Sequence, residues 1–316
     1  MKRNSIFRPF NPWIIGAVAT LGAGCCLLNA ESRLWTSTDG RTIEAEFIKA
    51  DDSSATVRKG GRDLTIPLDQ LSQSDIEYIE KRRAEVGRFD LTELGEYAKF
   101  AKGTWVKGEI ADLKFQIHAP DTYEKDHPLP LVMFLHGVGE RGEDNERQVN
   151  GLPKAFASTE NQEARPCIVV APQCPTDQFW SNAEITERVI SLTEDLAEHL
   201  PVDQNRIYLS GFSMGGYGTW AVLASDPKLY AAAIPISGGG NPAYARDLKR
   251  IPIWNFHGDK DESVSVTQSR EMVEALEKVN ADITYTEFEG AGHGIADRVV
   301  RDPKVQEWLF SQKKDS

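Results

Sequence analysis

Apolar and polar residues follow two different periods along this chain, and the change of period divides it. Between residues 33 and 71 the period is two. Ile43, Ala45 and Phe47 alternate with Thr42, Glu44 and Glu46, and Leu64, Ile66 and Leu68 alternate again. Successive strand side chains point to opposite faces, so this alternation predicts half-buried strands. Asp39-Gly40 and Gly60-Gly61 fall between the apolar runs as turn dipeptides. A short helix is expected from Ser74, which can cap it, through Arg83. Residues 31–85 therefore read as a compact all-β unit, a small barrel.

Beyond residue 103 strand and helix patterns alternate. Strands are expected at 105–110, 113–119, 130–135, 167–172, 206–211, 231–236, 252–257 and 283–288. Helices are expected at 183–200, 214–225, 264–279 and 303–312. In the first of these helices Ile185, Val189, Leu192 and Leu196 recur at helical spacing and form one buried face. Two adjacent strands followed by strand–helix alternation indicate an α/β fold with a mostly parallel sheet, over residues 104–316. Residues 86–103, in a charged stretch of helical tendency closed by Gly103, are expected to connect the two parts.

The N-terminus has a different composition. Met1-Lys2-Arg3 and Arg8 lead into Trp13-Ile14-Ile15 and an apolar run that reaches Leu28. A basic lead, an apolar run and a small residue at Ala30 read as an export signal over residues 1–30. Cleavage is expected after Ala30. Lipid attachment at Cys25 and an uncleaved membrane anchor are the alternatives. With the signal removed no membrane span remains, and the expected location is the periplasm or the medium. Hydrophobic residues make up 40% and charged residues 27%, which argues against a wholly disordered chain. The net charge of -12 repels phosphate backbones, so no nucleic-acid partner is expected. Cys167 and Cys174, if joined by a strand, would stand roughly 23 Å apart. A disulfide needs Cα atoms within about 7 Å, so two buried thiols are expected. No zinc-ligand spacing is present, and no metal is expected.

The strongest chemical signal is Gly211-Phe212-Ser213-Met214-Gly215-Gly216. It follows the buried-strand pattern Arg206-Ile207-Tyr208-Leu209-Ser210 and opens a helix containing Trp220-Ala221-Val222-Leu223. A serine at so sharp a strand-to-helix turn is held in a strained conformation, with glycines letting the chain pass. Serine needs a base to take its proton. Of the six histidines, His199 reads as a helix-surface residue, while His118 and His127 precede the centre of the sheet. His257, before Gly258, is expected to brace a loop, and His136, before Gly137, belongs to an oxyanion loop. His293, in Gly290-Ala291-Gly292-His293-Gly294 after the last strand, is placed to swing over the serine as the base.

The acid that orients the imidazole should lie between serine and histidine, at a strand end. Asp259, Asp261 and Glu262 compete for this role in His257-Gly258-Asp259-Lys260-Asp261-Glu262. Asp261 is preferred, with Asp259 second because it directly follows the turn glycine. Two donors for a developing oxyanion are expected: the amide of Met214 and, in Leu135-His136-Gly137-Val138-Gly139, the amide of Val138. Trp180 and Tyr217 are candidate pocket walls. Glu140 and Arg141 could reach a polar substrate, or brace the loop through an ion pair.

These motifs give residues 104–316 a resemblance to the α/β-hydrolase superfamily. Phe134-Leu135-His136-Gly137-Val138-Gly139-Glu140-Arg141-Gly142, Ala171-Pro172-Gln173-Cys174-Pro175, the Ser213 turn and the His257-Gly258 loop are similar to its phospholipase/carboxylesterase and exported polyester-depolymerase-like branch. The resemblance implies a serine esterase without a cofactor, acting on acyl groups of plant polysaccharide, short-chain esters or a polyester. The alternatives are a serine peptidase of prolyl-oligopeptidase type and a non-catalytic binding protein on a hydrolase scaffold. Separately, Arg33-Leu34-Trp35-Thr36, Asp39-Gly40-Arg41 and Ile66-Pro67-Leu68-Asp69-Gln70-Leu71-Ser72 resemble the small SH3-like domain named after a yeast actin-assembly protein. That resemblance implies a positioning role, with a protein or cell-wall partner.

Overall fold

The computed structural model describes residues 32–314, apart from 51–52, 87–88 and 125–126. The expected export signal and Cys25 lie outside the described residues. The chain divides into two units, one ending at Arg88 and the other beginning at Phe89.

In the first unit, β1 (Ser32–Thr36), β2 (Thr42–Ala50), β3 (Ser54–Lys59) and β4 (Arg62–Pro67) pair antiparallel in chain order. The helix α1 (Gln73–Val86) follows. The period-two residues supply its core: Trp35, Ala45, Val57 and Ile66 are buried together with Ile79 of α1. One buried carboxylate ties the helix start to β1. Asp75 accepts bonds from Arg33 Nη2 at 2.7 Å, the Thr36 amide at 2.7 Å and Ser72 Oγ at 2.8 Å.

The second unit is built on eight strands. They are β5 (Trp105–Ile110), β6 (Leu113–His118), β7 (Leu129–Leu135), β8 (Ile168–Pro172), β9 (Val202–Phe212), β10 (Ala232–Ile236), β11 (Ile253–Gly258) and β12 (Ile283–Phe288). Their order across the sheet is β12-β11-β10-β9-β7-β8-β6-β5. β7 through β12 run parallel, and β5 and β6 close one edge antiparallel. The helices are α2 (Thr159–Ala164), α3 (Ala183–His199), α4 (Met214–Ser225), α5 (Thr267–Lys278), α6 (Ala296–Val300) and α7 (Pro303–Ser311).

The continuous apolar run of β7 follows from burial on both faces. Leu131, Met133 and Leu135 pack in one layer with Val189 and Leu192 of α3 and Trp220 of α4. Val132 and Phe134 face the other layer, with Val299 of α6 and Leu309 of α7.

The expected connector is not free-standing. Leu91–Phe100 forms tight helical turns in which Leu94 and Phe100 are buried. Phe100 packs on Phe115 of β6 with ring centroids 5.5 Å apart, and the Phe89 amide bonds to Tyr123 O at 2.7 Å. These apolar side chains, spaced among charges, have the β6 face to cover. From Phe89 on, the segment therefore belongs to the larger unit. The short helices α2 and α6 are additions to the expected set.

Candidate active site

The parallel strands all end on one side of the sheet, and the loops that leave them there carry the chemistry, as is general for such sheets. β9 runs into α4 through Ser213, whose φ of 57° and ψ of -114° lie outside the ordinary regions for a side-chain-bearing residue. Two glycines make this turn possible. A Cβ on Gly211 would stand 2.3 Å from Gly215 O, and one on Gly215 would stand 1.9 Å from Leu135 O. The elbow is therefore pressed directly against the end of β7.

Ser213 Oγ lies 2.9 Å from His293 Nε2, and His293 Nδ1 lies 2.7 Å from Asp261 Oδ2. The three residues come from loops after β9, β12 and β11. The Asp261 side chain is fully buried, and its other oxygen accepts the amides of Ser263 and Val264, each at 2.9 Å. Burial pulls its carboxyl upward, but the Val264 amide, the His293 ring and the Ser263 amide outweigh it and hold it below the ordinary value. The carboxylate so formed keeps the His293 Nδ1 proton in place and leaves Nε2 free to accept from Ser213. Asp259 makes no bond to His293: its amide bonds to Phe288 O, and its buried Oδ1 has no partner.

Both expected oxyanion donors occupy equivalent positions. Met214 is the first residue of α4, directly after Ser213, and Val138 is the first residue of a helical turn, directly after Gly137. First-turn amides have no partner within their own helix, so both are available to an incoming oxygen.

The loop bearing Val138 is fixed from below. Buried His136 accepts the Cys174 amide on Nε2 at 3.0 Å and donates from Nδ1 to Gly137 O at 2.6 Å. Burial pulls its pKa down to about 4, so the ring is neutral. Gln173, in the Ala171-Pro172-Gln173 motif, accepts the Asn145 amide at 2.7 Å and donates to Glu140 O at 3.1 Å and to Asp144 Oδ1 at 2.9 Å.

The expected pocket walls separate. Trp180 is fully buried, and its indole donates to His136 O at 2.9 Å. It supports the loop bearing Val138 and presents no face to a substrate; the hydrogen-bonding edge of the indole is what places it there. Tyr217 stays half-buried beside Gly239. Glu140 is 40% exposed at the loop. Arg141 braces the loop through carbonyls, with Nη1 3.2 Å from Gln178 O and its guanidinium 4.9 Å over the Phe179 ring. Cys167 and Cys174 are free and buried, their thiols pushed up to about 12 by burial. Among the described residues no cluster of three or more His, Cys, Asp or Glu is arranged to hold a metal ion.

One contact was not foreseen. His257, expected as a loop brace, does bond to Val264 O at 3.0 Å, but its Nε2 also lies 3.2 Å from Asp261 Oδ2. The spacing of four residues between His257 and Asp261 across a glycine turn was the available signal.

A nucleophile elbow after the central parallel strand β9, with an aspartate after β11 and a histidine after β12, defines an α/β-hydrolase fold. The model of the dienelactone hydrolase family matches residues 104–308, and the chain belongs to that family. It is similar to a bifunctional acetylxylan esterase/xylanase, XynS20E, of Neocallimastix patriciarum, with 27% identity over 155 residues, covering 48% of this chain and 22% of that protein. Feruloyl esterase D of Neurospora crassa is 22% identical over 167 residues, covering 50% and 57%. The chain thus spans less than two thirds of the length of either relative. A solved thermostable esterase is 35% identical with a TM-score of 0.63, covering 67% of this chain and 63% of that one. The acetyl xylan esterase from Aspergillus awamori, 14% identical with a TM-score of 0.53 over 65% of this chain and 98% of its own, shares the fold.

Proposed function

We propose that this protein is an exported serine esterase that cleaves carboxylic esters through an acyl-enzyme. His293 takes the Ser213 proton as Oγ attacks the ester carbonyl. The Met214 and Val138 amides hold the oxyanion, a contribution of about 3 kcal/mol for a single donor in comparable sites. His293 then protonates the leaving alcohol and activates water to release the acid, while Asp261 stabilises the imidazolium. The chain of 2.7 and 2.9 Å contacts ending on a strained serine carries this reading.

The names of the acetylxylan and feruloyl esterase relatives favour acyl groups borne on polysaccharide as the substrate. The basic-then-apolar N-terminus supports export. The first unit, which buries its own core, acts as an SH3-like positioning module for a protein or cell-wall partner.

Labelling with a fluorophosphonate, read by peptide mass spectrometry, tests the reading. Stoichiometric modification of Ser213, lost together with esterase activity in Ser213→Ala, is the expected result. Retained esterase activity in that variant would overturn it.

A further inference from the structure

The strand β10 ends among the three segments that carry Ser213, Asp261 and His293, and its last turn of chain bonds to each of them. Ile236 O accepts the Ser213 amide at 2.9 Å. The Ser237 amide donates at 2.8 Å to Phe256 O in β11, the strand that leads to Asp261. Ser237 Oγ donates to His293 O at 3.4 Å. The end of β10 is thus a frame shared by nucleophile, acid and base.

The conformation of this frame is unusual for the residue that holds it. Ser237 has a φ of 47°, in the left-handed region that favours glycine. Gly238, Gly239 and Gly240 follow it, and none of the three has a positive φ. They answer to space instead: a Cβ on Gly238 would stand 2.5 Å from Gly216 C, and one on Gly240 would stand 2.9 Å from Trp220 Cβ. The one position of the run whose backbone suits glycine therefore carries a hydroxyl. Strain of this kind persists where the surrounding structure holds it in place, and it concentrates at functional sites.

The hydroxyl has one use. Ser237 is fully buried, and among the described residues His293 O is the only acceptor of its hydroxyl. The loop around that carbonyl has glycines at 290, 292 and 294, and so few side chains to pack. Ala291 O accepts the Lys260 amide at 2.9 Å, while the Ile295 amide, within the same turn, bonds to His293 O at 2.9 Å. Phe212 covers the imidazole with ring centroids 4.8 Å apart, a contact without the direction of a hydrogen bond. Among the described residues, Ser237 makes the one hydrogen bond that ties the His293 backbone to the end of a neighbouring strand.

Resting on the esterase reading above, we infer that Ser237 is a positioning residue for the reaction. Its hydroxyl holds the His293 backbone where Nε2 meets Ser213, and the chain keeps a left-handed serine at this point to do so.

Two variants of the full chain test this, Ser237→Gly and Ser237→Ala. Both lose the hydroxyl, but only glycine relieves the backbone. On one chromogenic ester kcat should fall by about tenfold in both, since a misplacement of about 1 Å can cost a hundredfold. KM should be unchanged, because Ser237 touches no substrate. Thermal denaturation should separate the two. Relief of the left-handed conformation offsets the lost bond in glycine, which should melt within about 2 °C of the parent or above it; alanine should melt roughly 3 °C or more below glycine. Activity then follows the hydroxyl while stability follows the backbone, a split that a packing role would not produce. A glycine variant with the parent's kcat, or one that melts as low as the alanine variant or does not fold, overturns the proposal alone. A parent chain that hydrolyses no ester and is not labelled at Ser213 by a fluorophosphonate overturns the esterase reading, and this proposal with it.

Discussion

His257 stands behind Asp261: its Nε2 lies 3.2 Å from the carboxylate oxygen that faces His293, and both side chains are fully buried. With Val264 O also 3.0 Å from Nε2, the neutral ring shares one proton between that carbonyl and the carboxylate. Asp261 is thereby held from two sides, by His257 and by the Ser263 and Val264 amides, and its free direction points at His293. Hydrogen bonds to charged groups are worth about 1.5–3 kcal/mol. Replacing His257 by Phe should therefore lower kcat by about tenfold to a hundredfold, since each 1.36 kcal/mol is a factor of ten. KM should be unchanged because His257 touches no substrate. His257→Gln, which keeps a donor, should recover part of the loss. Steady-state kinetics decides this, and an unchanged kcat in the Phe variant would assign His257 to loop packing alone.

The two aspartates of the same loop should separate cleanly. Asp261→Asn removes the charge that stabilises the imidazolium and disturbs its tautomer, and should reduce kcat by about four orders of magnitude, as in comparable triads. Asp259→Asn should leave kcat within about twofold, because Asp259 has no bond to His293 and its buried oxygen is already unpartnered. Comparable losses in both variants, measured on one ester, would mean that the loop rearranges in solution.

Most of this site is legible in the sequence because its parts are local. The serine elbow, the glycine loop after β7 and the acid after β11 each sit within a few residues of a strand end, where hydrophobic period and glycine spacing are informative. What could not be read is what depends on distant segments meeting. Trp180 looks like a pocket wall as an aromatic in a loop; only its bond to His136 O, across 44 positions of sequence, puts it underneath. The segment from Phe89 to Phe100 read as a connector because its charges mask the few apolar side chains that bury.

The glycines of the site are not equivalent, and alanine substitution should show it. A Cβ on Gly215 would lie 1.9 Å from the Leu135 carbonyl oxygen, backbone against backbone, whereas a Cβ on Gly139 would meet nothing within 4 Å. Gly215→Ala should cost more than about 4 kcal/mol, the range reached only when the structure must shift, and yield little folded protein. Gly139→Ala should stay within about 1 kcal/mol of the parent. Thermal denaturation with near-ultraviolet circular dichroism compares them. A Gly215→Ala chain that melts like the parent would show that the elbow is not pressed against β7.

The acid limb of stability should carry the signature of His136. In the folded state its Nε2 is occupied by the Cys174 amide, so a second proton would set one N–H against another. With burial as the larger cause, the pKa falls from 6.5 to about 4. Between those values the unfolded chain binds a proton that the folded chain refuses, so stability rises with pH across that interval. The contribution is complete above about pH 6.5 and is lost progressively down to about pH 4, where the loss amounts to about 3 kcal/mol. Urea unfolding at a series of pH values from 7 to 4 should show this decline. His136→Gln places an amide oxygen near the Nε2 position, so it can still accept the Cys174 amide and has no proton to take up; its decline should be shallower, whatever its stability at neutral pH. Parallel pH curves for the two chains would place the acid sensitivity elsewhere and remove His136 as its source.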